Sequence, residues 1–366
     1  MIQLKKPKRV VKSKEQLLME LSAKKFEALK LSACWIARNE EKTLPRSIAS
    51  VKDYVDELIV VDTGSTDKTV EVAEELGAKV FKHEWADDFS APRNYALEQA
   101  TGAWIVFLDA DEYFEGDSAS NIRQTIQFAV TRKQTALLIE LVNIDVDDGD
   151  KEIDSTYLCR VFKAGARYVG RIHEELRVDD KPLIKTLTVP NKIMRIIHTG
   201  YSTTLNREKA ARNLKMLLTE LKTTDEPERI YGYLAQCYNG LDDYENAEKY
   251  ARLDIEGGRR DSTFASSSHR ILINILSKND TARLEERLQE AKRAVRDFPT
   301  MPEFRAELAE CLAAKGDYAS AVVEMRSAIK NFSSYRGLEP TMFNQLMEDF
   351  ARNRIFQWNQ LAGERQ

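Results

Sequence analysis

Short apolar segments alternate with segments of helical spacing from residue 31 onward, and this alternation constrains the fold more than any other feature of the sequence. The predicted strands cover residues 31–36, 57–61, 78–81 and 104–108. The predicted helices cover residues 44–51, 70–76 and 92–100, with Ser90 placed to cap the last of them and Gly102 after it. Strands that are apolar on both faces need cover on both sides, so the sequence predicts an α/β domain built on a parallel sheet.

The second half of the chain changes character twice. Residues 137–142, 157–162 and 193–198 are predicted strands whose less regular spacing favours mixed or antiparallel additions to the sheet. From residue 206 the pattern is helical to the end. We therefore expect a basic N-terminal tail and helix over residues 1–30, an α/β domain over 31–205 and an all-α domain over 206–366.

The helical region contains a repeat. One set of residues has the spacing of a tetratricopeptide unit: Tyr231, Leu234, Ala235, Tyr238, Tyr244 and Ala247. A second set follows 74 residues later: Leu308, Ala309, Leu312, Tyr318 and Ala321. Ala291, Ala294 and Pro299 fit the second helix of another unit, which implies an insertion near residues 257–268. Plain helical hairpins are the alternative, and in either case the pairs must stack to bury their apolar faces.

Charge and composition exclude several classes of function. The net charge of −4 gives no overall field for nucleic acid. No apolar run approaches the roughly 18 residues of a transmembrane helix, and no apolar stretch follows the basic N-terminus as in a secretory signal. That basic start is either a frayed tail or a patch for anionic lipid or an acidic partner. The four cysteines form no C-x-x-C pair, so we expect buried thiols and a cytoplasmic protein.

Carboxylates follow two of the predicted strands. Asp109 and Asp111 stand one residue apart directly beyond the strand at 104–108, where ligands of open α/β sheets bind. Two such carboxylates can share Mg²⁺ or Mn²⁺, whose remaining ligands come from phosphate oxygens, and the metal would neutralise a leaving diphosphate. Asp62 ends the strand at 57–61 and either binds a base or ribose or, like Asp67, shapes the turn.

Further candidates surround the same predicted edge. The loop after the first strand carries Ala37, Asn39 and Glu40, and Arg93 and Asn94 lie on the helix before the D-x-D strand. Arg93 is either a pocket residue or a structural ion-pair partner. Downstream, Glu174 suits a general base with His173 as the second choice, and His198 is either a metal ligand or a buried core histidine.

Together these motifs resemble the family 2 glycosyltransferases, which have the Rossmann-like GT-A fold. The resemblance rests on Asn39-Glu40-Glu41, on Val61 to Asp67 and on Leu108 to Asp111, and it covers about residues 31–205. Residues 160–162, 173–174 and 198–201, followed by 212–213, resemble a narrower branch that includes glycocin S-glycosyltransferases, where the likeness extends through the helical repeats. The catalytic motifs are also similar to those of lipopolysaccharide-core glucosyltransferases.

The resemblance implies a metal-dependent, inverting sugar transfer from a nucleotide-diphospho-sugar, a UDP-sugar first of all. The expected nucleotide-sugar contacts are Ala37, Asn39, Glu40, Asp62, Ser65, Arg93, Asn94, Asp109 and Ala110. Mn²⁺ or Mg²⁺ is expected at Asp109, Asp111 and His198, whereas the family's acidic base motif here has His173-Glu174-Glu175.

The acceptor is expected to be a peptide or protein side chain, with a saccharide or lipopolysaccharide core as the alternative. We also expect a possible homodimer through the repeats. A catalytically inactive, repeat-based binding protein is the hypothesis from a different class.

Overall fold

The computed structural model describes residues 29–183, 185–201, 206–258, 265–278, 282–337 and 339–363. The basic tail and helix expected over residues 1–30 therefore lie outside the described residues, except for the last two positions. The structure has a mixed β-sheet covered by helices, followed by an all-helical region, as the sequence predicts. Among the described residues, every helix is too short or too polar to cross a bilayer.

The strands are numbered in chain order. They are β1 Leu31–Ala37, β2 Glu57–Asp62, β3 Lys79–Lys82, β4 Trp104–Phe107, β5 Glu112–Phe114, β6 Ala136–Asp145, β7 Lys151–Lys163, β8 Arg167–Val169, β9 Glu175–Val178, β10 Lys181–Pro182, β11 Thr186–Thr188 and β12 Arg195–Tyr201. The helices of the first half are α1 Leu44–Ala49, α2 Thr69–Glu75, α3 Ser90–Gln99 and α4 Ile122–Thr131, and those of the second half are α5 Asn206–Leu221, α6 Tyr231–Gly240, α7 Tyr244–Glu256, α8 Ser267–Ser277, α9 Leu284–Asp297, α10 Pro302–Ala314, α11 Tyr318–Ser334 and α12 Gln345–Gly363. Short 3-10 helices occupy Lys52–Tyr54, Ser118–Asn121, Val146–Asp148 and Pro227–Arg229.

The main sheet has the strand order β3-β2-β1-β4-β7-β6-β12-β5, with β11 beside β6. Strands β3, β2, β1 and β4 run parallel, which confirms the prediction for the first part of the domain. Strand β7 is antiparallel to both β4 and β6, and β5 is antiparallel to β12, so the later strands are the expected mixed additions. The parallel strands place their carboxyl ends at one edge of the sheet.

The prediction that Ser90 caps the third helix is wrong. Helix α3 begins at Ser90 itself, and the Ala91 N–H donates to the Asp88 carboxylate at 3.1 Å. The Ser90 hydroxyl instead donates to the Gly170 carbonyl, and the Phe89 N–H donates to the Arg171 carbonyl at 2.7 Å. The start of α3 is therefore fastened to the loop that carries the candidate base.

The helical region consists of consecutive helix pairs, α6/α7, α8/α9 and α10/α11, with α12 packed on the last pair. Asp243 and Asp317 stand 74 residues apart, and each caps the second helix of its pair by accepting a backbone N–H. The repeat predicted from the sequence thus recurs in the capping hydrogen bonds. The expected insertion lies between α7 and α8, partly outside the described residues.

The two halves share a hydrophobic core. Ile172 of the α/β half is buried with Met216 and Leu217 of α5, and Trp85 and Phe89 pack against the same cluster. The four cysteines are free thiols, three of them buried, as expected for small apolar side chains.

Candidate functional site

A cleft of about 760 Å³ lies beyond the carboxyl ends of β1 and β4. The residues that line it from the α/β half include Ala37, Arg38, Glu40, Trp85, Phe89, Arg93, Asp109, Ala110, Asp111, Glu112, Leu141, Asn143, Thr156, Leu158, Arg160, His173, Glu174 and His198. Lys209 and Arg212 of α5 and Tyr233 of α6 complete the wall. The structure therefore brings most of the predicted site residues to one cavity, and the helical half contributes to it.

The turns after β1 and β2 adjoin this cleft. The Asp62 carboxylate accepts the Gly64 N–H at 3.2 Å and the Ser65 N–H at 3.1 Å, so it shapes its own turn. The Asn39 N–H donates to the Ser65 hydroxyl at 2.9 Å, and the Asn39 side-chain oxygen accepts the Thr66 N–H at 2.8 Å. These bonds join the two loops, and they hold Ala37 and Glu40 against the cleft.

Asn94 is not brought to the cleft. Its amide nitrogen donates to the Tyr168 carbonyl at 2.8 Å, and its amide oxygen accepts the Tyr168 N–H at 2.8 Å. Both functional groups of the side chain are therefore used to pin α3 to β8. The sequence could not distinguish this structural role from a contact with the nucleotide.

Two arginines hold the first aspartate of the D-x-D motif. Arg93 Nη2 lies 2.6 Å from Asp109 Oδ1, and Arg160 Nη2 lies 3.0 Å from Asp109 Oδ2. Burial alone would raise the pKa of Asp109, but the two guanidinium groups outweigh it and hold that pKa well below its usual range. Asp109 is thus a carboxylate whose oxygens are both engaged by protein cations.

Arg160 and Glu112 belong to this network, and the sequence reasoning did not select them as site residues. Arg160 also pairs with Glu112, whose other oxygen accepts the Asp109 N–H at 3.1 Å. The ladder between β6 and β7 shifts register so that Leu137 faces Val161 and Leu138 faces Cys159, which leaves Arg160 as the extra residue of a β-bulge. Bulges redirect a side chain next to functional sites. A single charged residue within the otherwise apolar segment of residues 157–162 was the available signal.

The second aspartate pairs with the predicted histidine. Asp111 Oδ2 lies 3.2 Å from His198 Nε2, and His198 Nδ1 lies 2.7 Å from the amide oxygen of Asn143. The Asn143 amide nitrogen donates in turn to Asp154. Burial opposes protonation of His198, but the bond to Asp111 and the nearby carboxylates raise its pKa.

The Asp111–His198 pair fits a divalent cation. The Asn143 oxygen can only accept, so Nδ1 carries a proton, and Nε2, when it carries none, presents a lone pair to a carboxylate oxygen. Two acceptors that face one another need a proton or a cation between them. A Cβ atom on Gly200 would lie 2.2 Å from Asp111 Oδ2 and 2.6 Å from His198 Nε2, so glycine keeps the adjoining space open.

Asp109 does not complete a three-residue cluster with this pair. Within the described ranges, no group of three or more His, Cys, Asp and Glu side chains has the arrangement of a metal centre. The arginines that engage both Asp109 oxygens are the physical reason.

The candidate base Glu174 lines the same cleft, on the loop fastened to α3. Arg93 Nε lies 3.0 Å from Glu174 Oε1, so the same arginine joins Glu174 to Asp109. His173 has a positive φ of 54° and its ring stacks on Tyr233 with centroids 3.9 Å apart. Burial, with a smaller effect of Arg229, lowers the pKa of His173 to about 4. His173 is therefore a weak base at neutral pH.

Comparison with known proteins finds a family match over part of the chain. Residues 32–151 match the family described as Glycosyl transferase family 2. A TPR repeat-containing protein of Synechococcus elongatus is 34% identical over 241 residues, which are 63% of this chain and 57% of that protein. The SPbeta prophage-derived glycosyltransferase SunS of Bacillus subtilis is 27% identical over 235 residues, 62% of this chain and 53% of that protein. The chain thus spans somewhat more than half the length of these curated relatives.

Solved structures show weaker likeness. The S. aureus TarS 1–349 structure is 15% identical and covers 84% of this chain and 93% of its own, with a TM-score of 0.37. Glucosyl-3-phosphoglycerate synthase of Mycobacterium tuberculosis, crystallised with Mn²⁺ and UDP-glucose, is 24% identical over 34% of this chain and 47% of that chain, with a TM-score of 0.28. The mixed sheet at the start of this chain, with its parallel first part, is the Rossmann-like GT-A arrangement.

Proposed function

We propose that this chain, whose residues 32–151 form a glycosyl transferase family 2 domain, transfers a sugar from a nucleotide-diphospho-sugar to an acceptor with inversion at the anomeric carbon. One observation carries the proposal. The Asp111–His198 pair, the arginine-bound Asp109 and the candidate base Glu174 all border a single cleft. The cleft is large enough for a nucleotide sugar, since ligand pockets commonly measure about 300–1,000 Å³.

Asp111 and His198 are the residues that would hold Mn²⁺ or Mg²⁺, and the cation would neutralise charge that develops on the leaving diphosphate. Arg93 and Arg160 fix Asp109 beside them, so the carboxylate needs no rearrangement during the reaction. The linked turns at Asn39 and Ser65 place Glu40 and Ala37 at the part of the cleft proposed for the nucleoside. We propose a UDP-sugar as the donor.

Glu174 is the proposed base. Arg93 fixes the orientation of its carboxylate through Oε1, and the loop around it is tied to α3 by Ser90 and Phe89. The low pKa of His173 and its stacking on Tyr233 favour a role for that imidazole in shaping the cleft rather than in taking the acceptor proton. Transfer then needs only Glu174 to accept that proton as the acceptor attacks the sugar.

A polypeptide is the proposed acceptor, and a second groove supports it. This groove of about 530 Å³ is lined mainly by the first helices of the successive pairs and by α12, with Arg287 of α9 and Met325 of α11 from the second helices. Its apolar lining includes Ile271, Phe304, Met325, Met347 and Phe350. Helix α6 reaches both sites, because Tyr233 lines the cleft and Asn239 lines the groove. Six residues of helix span about 9 Å, so an extended chain can occupy both.

Methionine-rich apolar grooves adapt to varied side chains, which suits a peptide more than a saccharide. A saccharide or lipopolysaccharide-core acceptor, and a second copy of this chain on the repeats, are the other occupants that the tests below separate.

Hydrolysis of UDP-glucose, UDP-galactose and UDP-N-acetylglucosamine, with water as the acceptor, tests the activity. We expect turnover with Mn²⁺ or Mg²⁺, loss in EDTA, and a fall of at least about 100-fold in Asp111→Ala, because the developing charge loses its counter-ion. Asp148→Ala is the matched control, since Asp148 is an exposed acid that forms an ion pair with nearby Lys151. Turnover that is unaffected by EDTA would refute the metal, and no turnover with any donor would favour an inactive binding protein.

Glu174→Gln tests the base. The amide keeps the shape of the carboxylate but accepts no proton, so we expect donor binding to persist and transfer to fall at least about 100-fold. Parental transfer by Glu174→Gln together with an inactive His173→Ala would exchange the two roles.

Two phenylalanines of α12 test the acceptor groove. Phe350 lines the groove and is 55% exposed, whereas Phe356 is 64% exposed and lies outside the groove lining. We expect Phe350→Ser to weaken transfer to a peptide acceptor and to leave donor hydrolysis unchanged, while Phe356→Ser alters neither. Equal peptide transfer by both variants would exclude the groove, and a change of mass in light scattering for Phe350→Ser would indicate a second copy instead.

A further inference from the structure

Three buried polar atoms border the cleft without a hydrogen-bond partner among the described residues. They are Arg93 Nη1, Thr156 Oγ1 and Arg160 Nε. Arg93 and Thr156 are each 7% exposed. A buried polar group without a partner costs free energy, so such groups in one cavity indicate a ligand that supplies the missing bonds.

Thr156 differs from the two arginines because it belongs to no ion pair. It lies on β7 opposite Leu141 of β6, and Asn143, which binds His198, is on the same face of β6 one pair further along the ladder. Diagonal neighbours of this kind are about 7–8 Å apart. Thr156 therefore lines the same cleft as the Asp111–His198 pair, with β6 and its Asn143 between the two.

The surroundings of Thr156 match the surface of a pyranose. Leu141 and Leu158 line the cleft on either side, so the hydroxyl is set in an otherwise apolar patch. Sugar rings present apolar C–H faces with hydroxyls at their edges. In the proposed donor the sugar is bonded directly to the diphosphate, so we assign the part of the cleft next to the Asp111–His198 pair, which Thr156 also lines, to the transferred sugar.

We propose that Thr156 is a specificity-determining residue, which hydrogen-bonds a hydroxyl of the transferred sugar between Leu141 and Leu158. This inference rests on the proposed function, because it takes the ligand to be a nucleotide sugar. The arginine N–H groups on either side, Arg93 Nη1 and Arg160 Nε, are suited to further sugar or diphosphate oxygens. No bond forms or breaks at Thr156, so the residue selects the donor and takes no part in the proton transfer.

The test uses Thr156→Val, which removes the hydroxyl and keeps the shape. In the protein without ligand we expect the Tm to rise by about 2 °C, because an unpartnered buried hydroxyl is replaced by a methyl group. We expect affinity for the best-bound sugar among UDP-glucose, UDP-galactose and UDP-N-acetylglucosamine to fall about three- to tenfold by titration calorimetry, and affinity for UDP to stay the same. Thr156→Ser should restore sugar binding. The partnered threonine Thr125, whose hydroxyl donates to the Asn121 carbonyl at 2.8 Å, provides Thr125→Val as the matched control without a gain in Tm.

A higher Tm together with weaker sugar binding would distinguish a ligand-binding threonine from a purely structural one. A lower Tm in Thr156→Val, or unchanged affinity for every sugar, would overturn the inference while leaving the proposed function intact. If Thr156→Val hydrolyses donor at the parental rate and fails only with an added acceptor, the hydroxyl contacts the acceptor and the inference is wrong. If the parental protein binds no nucleotide sugar, the proposed function fails and this inference fails with it.

Discussion

Arg93 joins the candidate base to the D-x-D motif, and its removal offers the most direct test of the site's electrostatics. Its side chain is 8% exposed, and it contacts Glu174, 12% exposed, and Asp109, 31% exposed. Arg93→Met keeps an unbranched apolar stem beside the Phe107 and Tyr168 rings, which lie 5.1 and 5.4 Å from the guanidinium carbon. The substitution therefore removes the charge with little loss of packing.

The expected cost follows from what is left behind. Breaking a buried ion pair by removing one partner typically costs about 3–5 kcal/mol, because the other charge stays buried. Glu174 loses its arginine, whereas Asp109 is more exposed and keeps Arg160 at 3.0 Å. We therefore expect the lower end, a loss of about 3 kcal/mol in the free energy of unfolding at pH 7. Arg93→Met combined with Glu174→Gln should recover about 1–2 kcal/mol through the coupling of the pair.

Urea unfolding followed by circular dichroism measures these differences. Arg207→Met is the matched control, because Arg207 and Asp242 form a pair at 2.9 Å whose side chains are 67% and 59% exposed. Such an exposed pair should be worth less than about 1 kcal/mol. A loss no larger for Arg93→Met than for Arg207→Met would show that the cleft network is solvated and that Arg93 does not anchor Glu174.

Three further outcomes are expected. Gly200→Ala should lower Mn²⁺ affinity and donor hydrolysis at least about tenfold, since the added Cβ would meet Asp111 and His198. Gly363→Ala is the control and should change neither, because the space around that added Cβ is open. Hydrogen bonds from Arg283 and Arg252 outweigh the effect of burial and lower the pKa of Glu248 to about 2. Glu248 therefore stabilises the protein above its ordinary pKa near 4.5, and this effect is lost as the pH falls towards 2. Glu248→Gln should therefore cost about 1 kcal/mol in urea unfolding at pH 7, and a difference that persists at pH 2 would contradict this. A chain that ends at residue 205 should aggregate, because it lacks most of the shared core, whereas one that ends near residue 278, after α8, keeps that core and should stay soluble and hydrolyse donor. Size-exclusion chromatography and the hydrolysis assay check both outcomes.

Strands β1, β2 and β4 were predictable to within a residue or two because they are apolar on both faces, whereas the short strand β5 was not predicted. Residues 31–36 and 104–108 are predicted, and Leu31–Ala37 and Trp104–Phe107 are observed. Such runs have few ways to be buried other than at the centre of a sheet. Ser90 failed as a predicted cap for a different reason. Its hydroxyl bonds to the Gly170 carbonyl, a residue 80 positions away, and local sequence does not encode that contact.

Some residues of the candidate site could likewise be predicted from the sequence and others could not. Asp109 and Asp111 could be selected because they directly follow a buried strand, and His198 because the chain has only four histidines. The structure brings Asp111 and His198 within 3.2 Å of one another. Arg160 escaped selection because its role depends on a register shift between β6 and β7, which places it at a bulge facing Asp109. A register is a property of two paired strands, so the sequence of β7 alone does not contain it.

At the boundary between the halves, the sequence pattern changes but the hydrophobic core is continuous. The pattern changes at residue 206, but Ile172, Trp85 and Phe89 pack with α5 and α6, and Tyr233 of α6 stacks on His173 inside the cleft. Apolar residues on both sides of the change in pattern thus belong to one core. The first helices of the second half are therefore packed against the α/β half. Because α6 borders both the cleft and the apolar groove, a polypeptide bound in the groove would have its approach to Glu174 set by packing rather than by a flexible linker.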